Sequence, residues 1–206
     1  MMDWTSQWET AWRDLGLPVP ASHLRTALLS RWAEPHRKYH TPQHLRECLA
    51  LFDAHRGLAR HPGEVAIALW FHDAIYDTSR HDNEAASADW ARRVLRDAGA
   101  AGEVVARVEA LILATRHSQV PATADEGLLV DIDLAILGAE PARFDEYERQ
   151  IRDEYGFVAQ DVFRAKRAEI LRGFLARPAL FATAAMRERF EAPARANLAG
   201  AIAKLD

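Results

Sequence analysis

Cysteine is almost absent: Cys48 stands alone among 206 residues. No internal disulfide can staple the fold, and a reducing compartment, the cytoplasm, is the expected location. Long apolar runs are missing too. The longest, Val65 to Phe71, falls well short of the ~20 residues of a bilayer-crossing helix, so no contact with membrane is expected. There is no surplus of positive charge, since 26 Lys+Arg face 30 Asp+Glu for a formal net charge of −4. That balance argues against a sequence-independent grip on nucleic-acid phosphates, and nucleic acid is not an expected partner. The opening Met1-Met2-Asp3-Trp4 has neither the basic nor the apolar stretch of a secretory leader. The glycine-rich phosphate cradles GxxxxGKS/T and GxGxxG do not occur, and neither does a GxSxG nucleophile elbow. No segment of 20–50 residues repeats itself.

What is present is helical punctuation. Apolar residues recur at three- and four-residue spacing between short interruptions by proline and glycine, while strand-like alternation bounded by hairpin turns is missing. The expected fold is all-α, a multi-helix bundle over 1–206 as a single domain. Ten helices are expected, the first at about Trp4–Leu15, with Gly16-Leu17-Pro18 after it, and the second at Ala21–Ala33. Thr41, an N-cap followed by Pro42 at N1, opens the third, which runs to His55. Pro62 opens a largely apolar fourth helix through Trp70 to about Tyr76, and Asp82 caps a fifth over Asn83–Ala98 that Gly99 ends. Glu103–His117, Asp125–Leu137, Pro141–Tyr155, Val158–Leu175 and Ala182–Leu205 complete the set. Trp4, Trp8 and Trp12 fall one turn apart on the first helix; with Asp3, Gln7, Glu9 and Asp14 on the other face, the stripe reads as packing rather than membrane binding.

The chemistry lies with a few of the nine histidines. His40 and His44 stand in Tyr39-His40-Thr41-Pro42-Gln43-His44, and His72 in His72-Asp73. On a helix continuing to Tyr76, His72 shares a face with Ala68, Leu69, Ile75 and Tyr76, and Asp77 follows Asp73 by one turn. A histidine and a carboxylate on a buried face need a partner. Either a mutual hydrogen bond or a divalent ion such as Mn, Fe, Co, Ni, Zn or Mg serves. In Leu128–Leu137, Asp133 has Leu129, Val130, Ile136 and Leu137 at three and four residues, so it is expected to point inward. Asp131 lies about 200° away and is expected to support the site from behind or face the surface.

A lone histidine, then an adjacent His-Asp pair, then a distant aspartate on a later helix resembles the HD-domain superfamily of metal-dependent phosphohydrolases. Asp133–Gly138 and Ile151–Tyr155 resemble a bacterial branch of predicted phosphohydrolases within it. The resemblance implies a metal core over about 39–137, with His44, His72, Asp73 and Asp133 as ligands of a divalent metal ion and the end helices packed on it. Tyr39-His40-x-x-x-His44 is similar to the motif of cyclic-nucleotide phosphodiesterases and implies that His40 protonates the leaving oxygen. His72-Asp73-Ala74-Ile75-Tyr76-Asp77-Thr78 is similar to a motif of alarmone hydrolases, which carry an acidic pair where Tyr76-Asp77 stands here. Asp77 would then orient or deprotonate the attacking water.

The implied reaction is hydrolysis, by metal-activated water, of a phosphoester or phosphoanhydride in a small metabolite such as a nucleotide. Arg37, Lys38 and Arg116 are the cations nearest in sequence to hold phosphate, Asn83 and Glu84 are expected to line the pocket, and His117 is the candidate for an extra ligand. An HD-type di-iron oxygenase, for which only His81 and His117 remain as further ligands after His72, is one alternative. A non-catalytic metal- or nucleotide-sensing module is another. Amphipathic end helices allow a homodimer.

Overall fold

A computed structural model describes residues 3–205; Met1-Met2, part of the segment read above for a leader, lie outside them. Among the described residues there are ten α-helices and two 3₁₀ turns and no strand, as the all-α reading expects. They form two compact units, Met1–Val130 and Asp131–Asp206. The first holds α1 (Trp4–Asp14), α2 (Ser22–Trp32), α3 (Pro42–His55), α4 (Pro62–Phe71), α5 (Asn83–Asp97), α6 (Gly102–Ala114) and most of α7 (Ala124–Leu134). The second holds the end of α7, a 3₁₀ turn at Ala135–Gly138, α8 (Pro141–Glu154), α9 (Gln160–Leu175) and α10 (Ala184–Leu205). No helix among the described residues is long and apolar enough to cross a membrane.

Helix α4 is the centre of the first unit. Pro62 opens it, every residue from Gly63 to Phe71 is buried, and α1, α3, α5 and α6 pack around it. The buried Glu64 is matched by Arg107 of α6 through two hydrogen bonds of 2.8 and 2.7 Å, which satisfies a carboxylate that burial would otherwise disfavour. The tryptophan stripe of α1 docks here. Trp8 and Trp12 are fully buried, and Trp4 and Trp8 meet Trp70 edge-on at 5.5 and 5.1 Å. Gly63 permits the approach, because a Cβ there would lie 2.7 Å from the backbone nitrogen of Leu15.

Several helix ends obey the sequence signals. Thr41 caps α3 by accepting from the Gln43 N–H, with Pro42 in the first turn, and Gly99 leaves α5 with φ +83°. Asp82 occupies the N-cap position of α5, but its carboxylate pairs with Arg80 instead of the helix N–H groups.

Helix α4 is shorter than expected. It ends at Phe71, not near Tyr76, because the main chain beyond it is held by side chains from elsewhere. The Asp73 and Ala74 carbonyls accept from Arg37, and the Ile75 N–H donates to the Ser87 hydroxyl. The helical register that placed Asp77 one turn beyond Asp73 is therefore corrected. Helix α6 likewise stops at Ala114, before His117.

In the second unit, α10 packs on the 3₁₀ turn and on α9. Asn197 donates to the Leu137 and Ala139 carbonyls, both at 2.9 Å. Gly138 lies so close to α10 that a Cβ would stand 2.7 Å from the Phe190 carbonyl oxygen. Gly138→Ala is expected to destabilise the fold by about 1–3 kcal/mol, since helix backbone must shift to admit the methyl group. Chemical denaturation of the two proteins measures the difference.

Candidate metal centre

The site in the first unit is assembled where α3 meets the C-terminal end of α4. A helix leaves its last carbonyls without intrahelical partners, and here nearly all of them are claimed. Ala68 O accepts from the His72 N–H, Leu69 O from His72 Nδ1 at 2.9 Å, and Trp70 O from the Trp32 indole at 3.1 Å. Beyond the helix, Arg37 takes Asp73 O and Ala74 O, Ser87 takes Ile75 O, His36 takes Tyr76 O and Asn83 takes Asp77 O. The irregular segment after α4 is thus held in a sleeve of side-chain donors.

One of these bonds sets the chemistry. A carbonyl oxygen only accepts, so His72 Nδ1 carries the proton and neutral His72 presents a bare Nε2 on its other side. That Nε2 faces two more groups able to act as ligands. Asp73 Oδ2 lies 3.0 Å away and His44 Nε2 lies 3.3 Å away, while His44 Nε2 and Asp73 Oδ2 are separated by 3.9 Å. His44 and His72 are 2% and 1% exposed, so the cluster is shielded from water. Positive charge, a proton or a metal ion, stabilises such a convergence. Ligand atoms about 2.1 Å from one ion and at right angles to each other lie about 3 Å apart, so these separations suit a divalent ion. The Nδ1–H to carbonyl bond is the usual outer support of a metal-binding histidine.

Aromatic rings wall the cluster. Trp32 lies 5.3 Å from His72 and 6.1 Å from His44 between ring centres, and Tyr39 lies 4.7 Å from His44. The buried Cys48 places its sulfur 3.7 Å from both nitrogens of His44, one helical turn along α3. His40, half-buried, stacks on Tyr76 with ring centres 4.0 Å apart and planes at 26°, and stands 5.9 Å from the His44 ring.

The structure brings together His44, His72 and Asp73 and sets His40 beside them; the candidates for phosphate contact, pocket lining and water activation have other engagements. Arg37, expected to touch phosphate, is 3% exposed, and its guanidinium is engaged by Glu34 and main-chain carbonyls. Lys38 is exposed and donates to Pro35 O. Asp77 is exposed, and its Oδ1 accepts from both the N–H and the hydroxyl of Ser79. Those bonds hold its carboxyl below the ordinary value and tie Oδ1 into its own turn. Asn83 bonds both main-chain groups of Asp77. Arg116 and Glu84 face each other at 3.7 Å. His117 follows α6 with φ +54°, a left-handed conformation uncommon for histidine.

One acid of α7, Asp131, departs from the place expected for it. Asp131 is fully buried, not at the surface. It accepts from the N–H groups of Ala182 and Thr183 and from the Thr183 hydroxyl, each at 2.7 Å, at the entry to α10. Burial pushes its carboxyl above the ordinary value against the pull of those donors. Asp133, in the same unit, is half-buried. Nearby, burial raises the Tyr147 phenol, opposed by Arg167 and assisted by the charges of Glu148 and Asp133.

Two contributors carry no signal in the sequence. Glu34 bonds the Arg37 guanidinium at 3.2 and 3.1 Å, and Trp32 bridges to α4; neither belongs to a motif. No family model, no curated protein and no solved structure matches the chain.

Two measurements check these assignments. Asp131→Ala leaves buried donors at the start of α10 without an acceptor and is expected to cost about 2–3 kcal/mol in denaturant unfolding. Glu34 supplies a pH test. Burial raises its carboxyl, but the Arg31 and Arg37 guanidiniums outweigh that and hold it below its ordinary 4.5. Its contribution is complete above the unfolded-state value and is lost as pH falls through the lower folded value. Melting temperature against pH should show a steeper acid limb below about pH 4.5 for the parent than for Glu34→Gln.

Proposed function

We propose that this protein is a metal-dependent phosphohydrolase of HD type that cleaves a phosphoester or phosphoanhydride in a small phosphorylated metabolite. The observation that carries the reading is the convergence of His44 Nε2, His72 Nε2 and Asp73 Oδ2, with the His72 tautomer fixed by Leu69 O. Asp133 enters the proposed ligand set on the sequence resemblance. When bound, a divalent ion would lower the pKa of water and neutralise charge on phosphoryl oxygen. The protein's own groups do the rest. His44, His72 and Asp73 orient their donor atoms toward one point, and the surrounding Trp32, Tyr39 and Cys48 keep bulk water from those donors. His40, held by its stack on Tyr76, gives a proton to the leaving oxygen. With Arg37 buried, Lys38 and Arg116 are the cations left among the candidates to meet substrate phosphate. The lone Cys48 accords with a cytoplasmic location.

The deciding experiment is elemental analysis of purified protein combined with phosphate and pyrophosphate release from a nucleotide panel in the presence of Mn²⁺. The expected outcome is about one or two equivalents of metal per chain and turnover. Asp73→Ala and His44→Ala should lose metal and activity together. His40→Ala should keep its metal and lose about 10²–10⁴-fold in rate, the usual contribution of a positioned acid. A bound iron pair without phosphate release would move the assignment to an oxygenase, and metal without turnover to a sensing module. Absence of metal under every loading condition would overturn the metal centre.

A further inference from the structure

The buried cation beside the site is the least expected feature of the first unit. Arg37 precedes His40 by three residues and lies 36 residues from Asp73 in the chain. Its guanidinium is packed between two rings, 5.7 Å from the centre of Trp32 and 5.5 Å from that of Tyr76. The donors fan out in three directions. Nε and Nη2 bond the Glu34 carboxylate at 3.2 and 3.1 Å. Nη1 bonds Asp73 O at 2.6 Å and His40 O at 3.4 Å. Nη2 also bonds Ala74 O at 3.2 Å.

A guanidinium carries five N–H groups in one rigid plane. These contacts engage all three of its nitrogens, so the fork is matched in geometry as well as in charge. Lysine, a compact point charge, cannot reach carboxylate and three carbonyls at once. Glu34 supplies the counter-charge that makes burial of the cation tolerable. Without Glu34 and the carbonyls, a cation 3% exposed would be heavily penalised.

The residues gripped are the telling part. Asp73 and Ala74 form the turn that carries the proposed metal ligand Asp73. His40 is the proposed proton donor, and its ring rests on Tyr76, which in turn has Arg37 against its ring. One side chain therefore touches the main chain of both functional groups and the ring that supports one of them. We propose that Arg37 is a positioning residue that locks the His40 loop to the His72-Asp73 turn, so that proton donor and ligand turn keep a single spacing. Its functional meaning rests on the metal-centre reading given above, but the lock itself is a property of the polypeptide alone.

The test uses the full chain and two variants, Arg37→Met and Arg37→Lys. Hydrogen exchange followed by mass spectrometry reads peptides covering 36–41 and 70–77, with 102–114 in α6 as the internal control. Both gripped segments of Arg37→Met should exchange at least tenfold faster than in the parent while α6 keeps its rate, and Arg37→Lys should loosen the same two segments. Cobalt(II) absorption of the loaded proteins is the second readout, because the intensity and position of the d–d bands follow ligand geometry. Arg37→Lys should shift those bands relative to the parent at full loading. If only one segment loosens, if neither does, or if α6 loosens equally, the lock is wrong. If Arg37→Met does not fold, Arg37→Lys decides alone, and unchanged exchange in both segments overturns the proposal. A parent chain that takes up no cobalt defeats the metal centre, whereas the exchange rates still judge the lock.

Discussion

Helix α4 has no face turned to water, and the first unit is organised by that constraint. A helix buried along its whole length can hide its side chains, but its terminal carbonyls still require donors. The solution at its C-terminal end is to recruit side chains from several other elements: Trp32 from the end of α2, Arg37 and His36 from the loop that follows, and Ser87 from α5. His72 closes the series by donating its own Nδ1–H to Leu69 O. A requirement of backbone hydrogen bonding thereby becomes a chemical feature, because the same bond exposes Nε2 toward Asp73 and His44.

Other buried polar groups are paired by the same logic. Glu64 meets Arg107 across α4 and α6, Asp125 accepts from the Arg60 and His61 N–H groups, and in the second unit Asp131 accepts from the entry to α10. Each is a buried carboxylate whose donors compensate the loss of water. The cluster of His44, His72 and Asp73 differs in kind. It gathers two imidazole nitrogens and a carboxylate oxygen at one buried point.

Much of the site is legible in the amino-acid sequence. The family resemblance implies that His44, His72 and Asp73 gather as ligands, and the three do converge. The end of α4 is not legible, because Ile75 and Tyr76 continue a helical apolar pattern while the groups that break the helix are remote in sequence. For the same reason the pattern places Asp77 one turn beyond Asp73, when its carboxylate in fact organises a turn with Ser79. The full burial of Asp131 has a related cause. Periodicity reports which side of a helix is apolar, but it does not see the backbone donors at 182 and 183 that make full burial of Asp131 tolerable.

Local signals suffice for the all-α architecture and most helix positions, because periodicity, Pro42, Pro62 and Gly99 act on their immediate neighbours. They suffice also for the inward packing of Trp8 and Trp12, whereas the grouping of His44, His72 and Asp73 is legible through the family resemblance. The role of Arg37 depends instead on contacts between distant parts of the chain. A cation near a candidate site reads equally well as a phosphate contact or a buried clamp, and the difference lies in carbonyl oxygens, which carry no residue identity. The tautomer of His72 is set in the same way, by a helix end rather than by a motif.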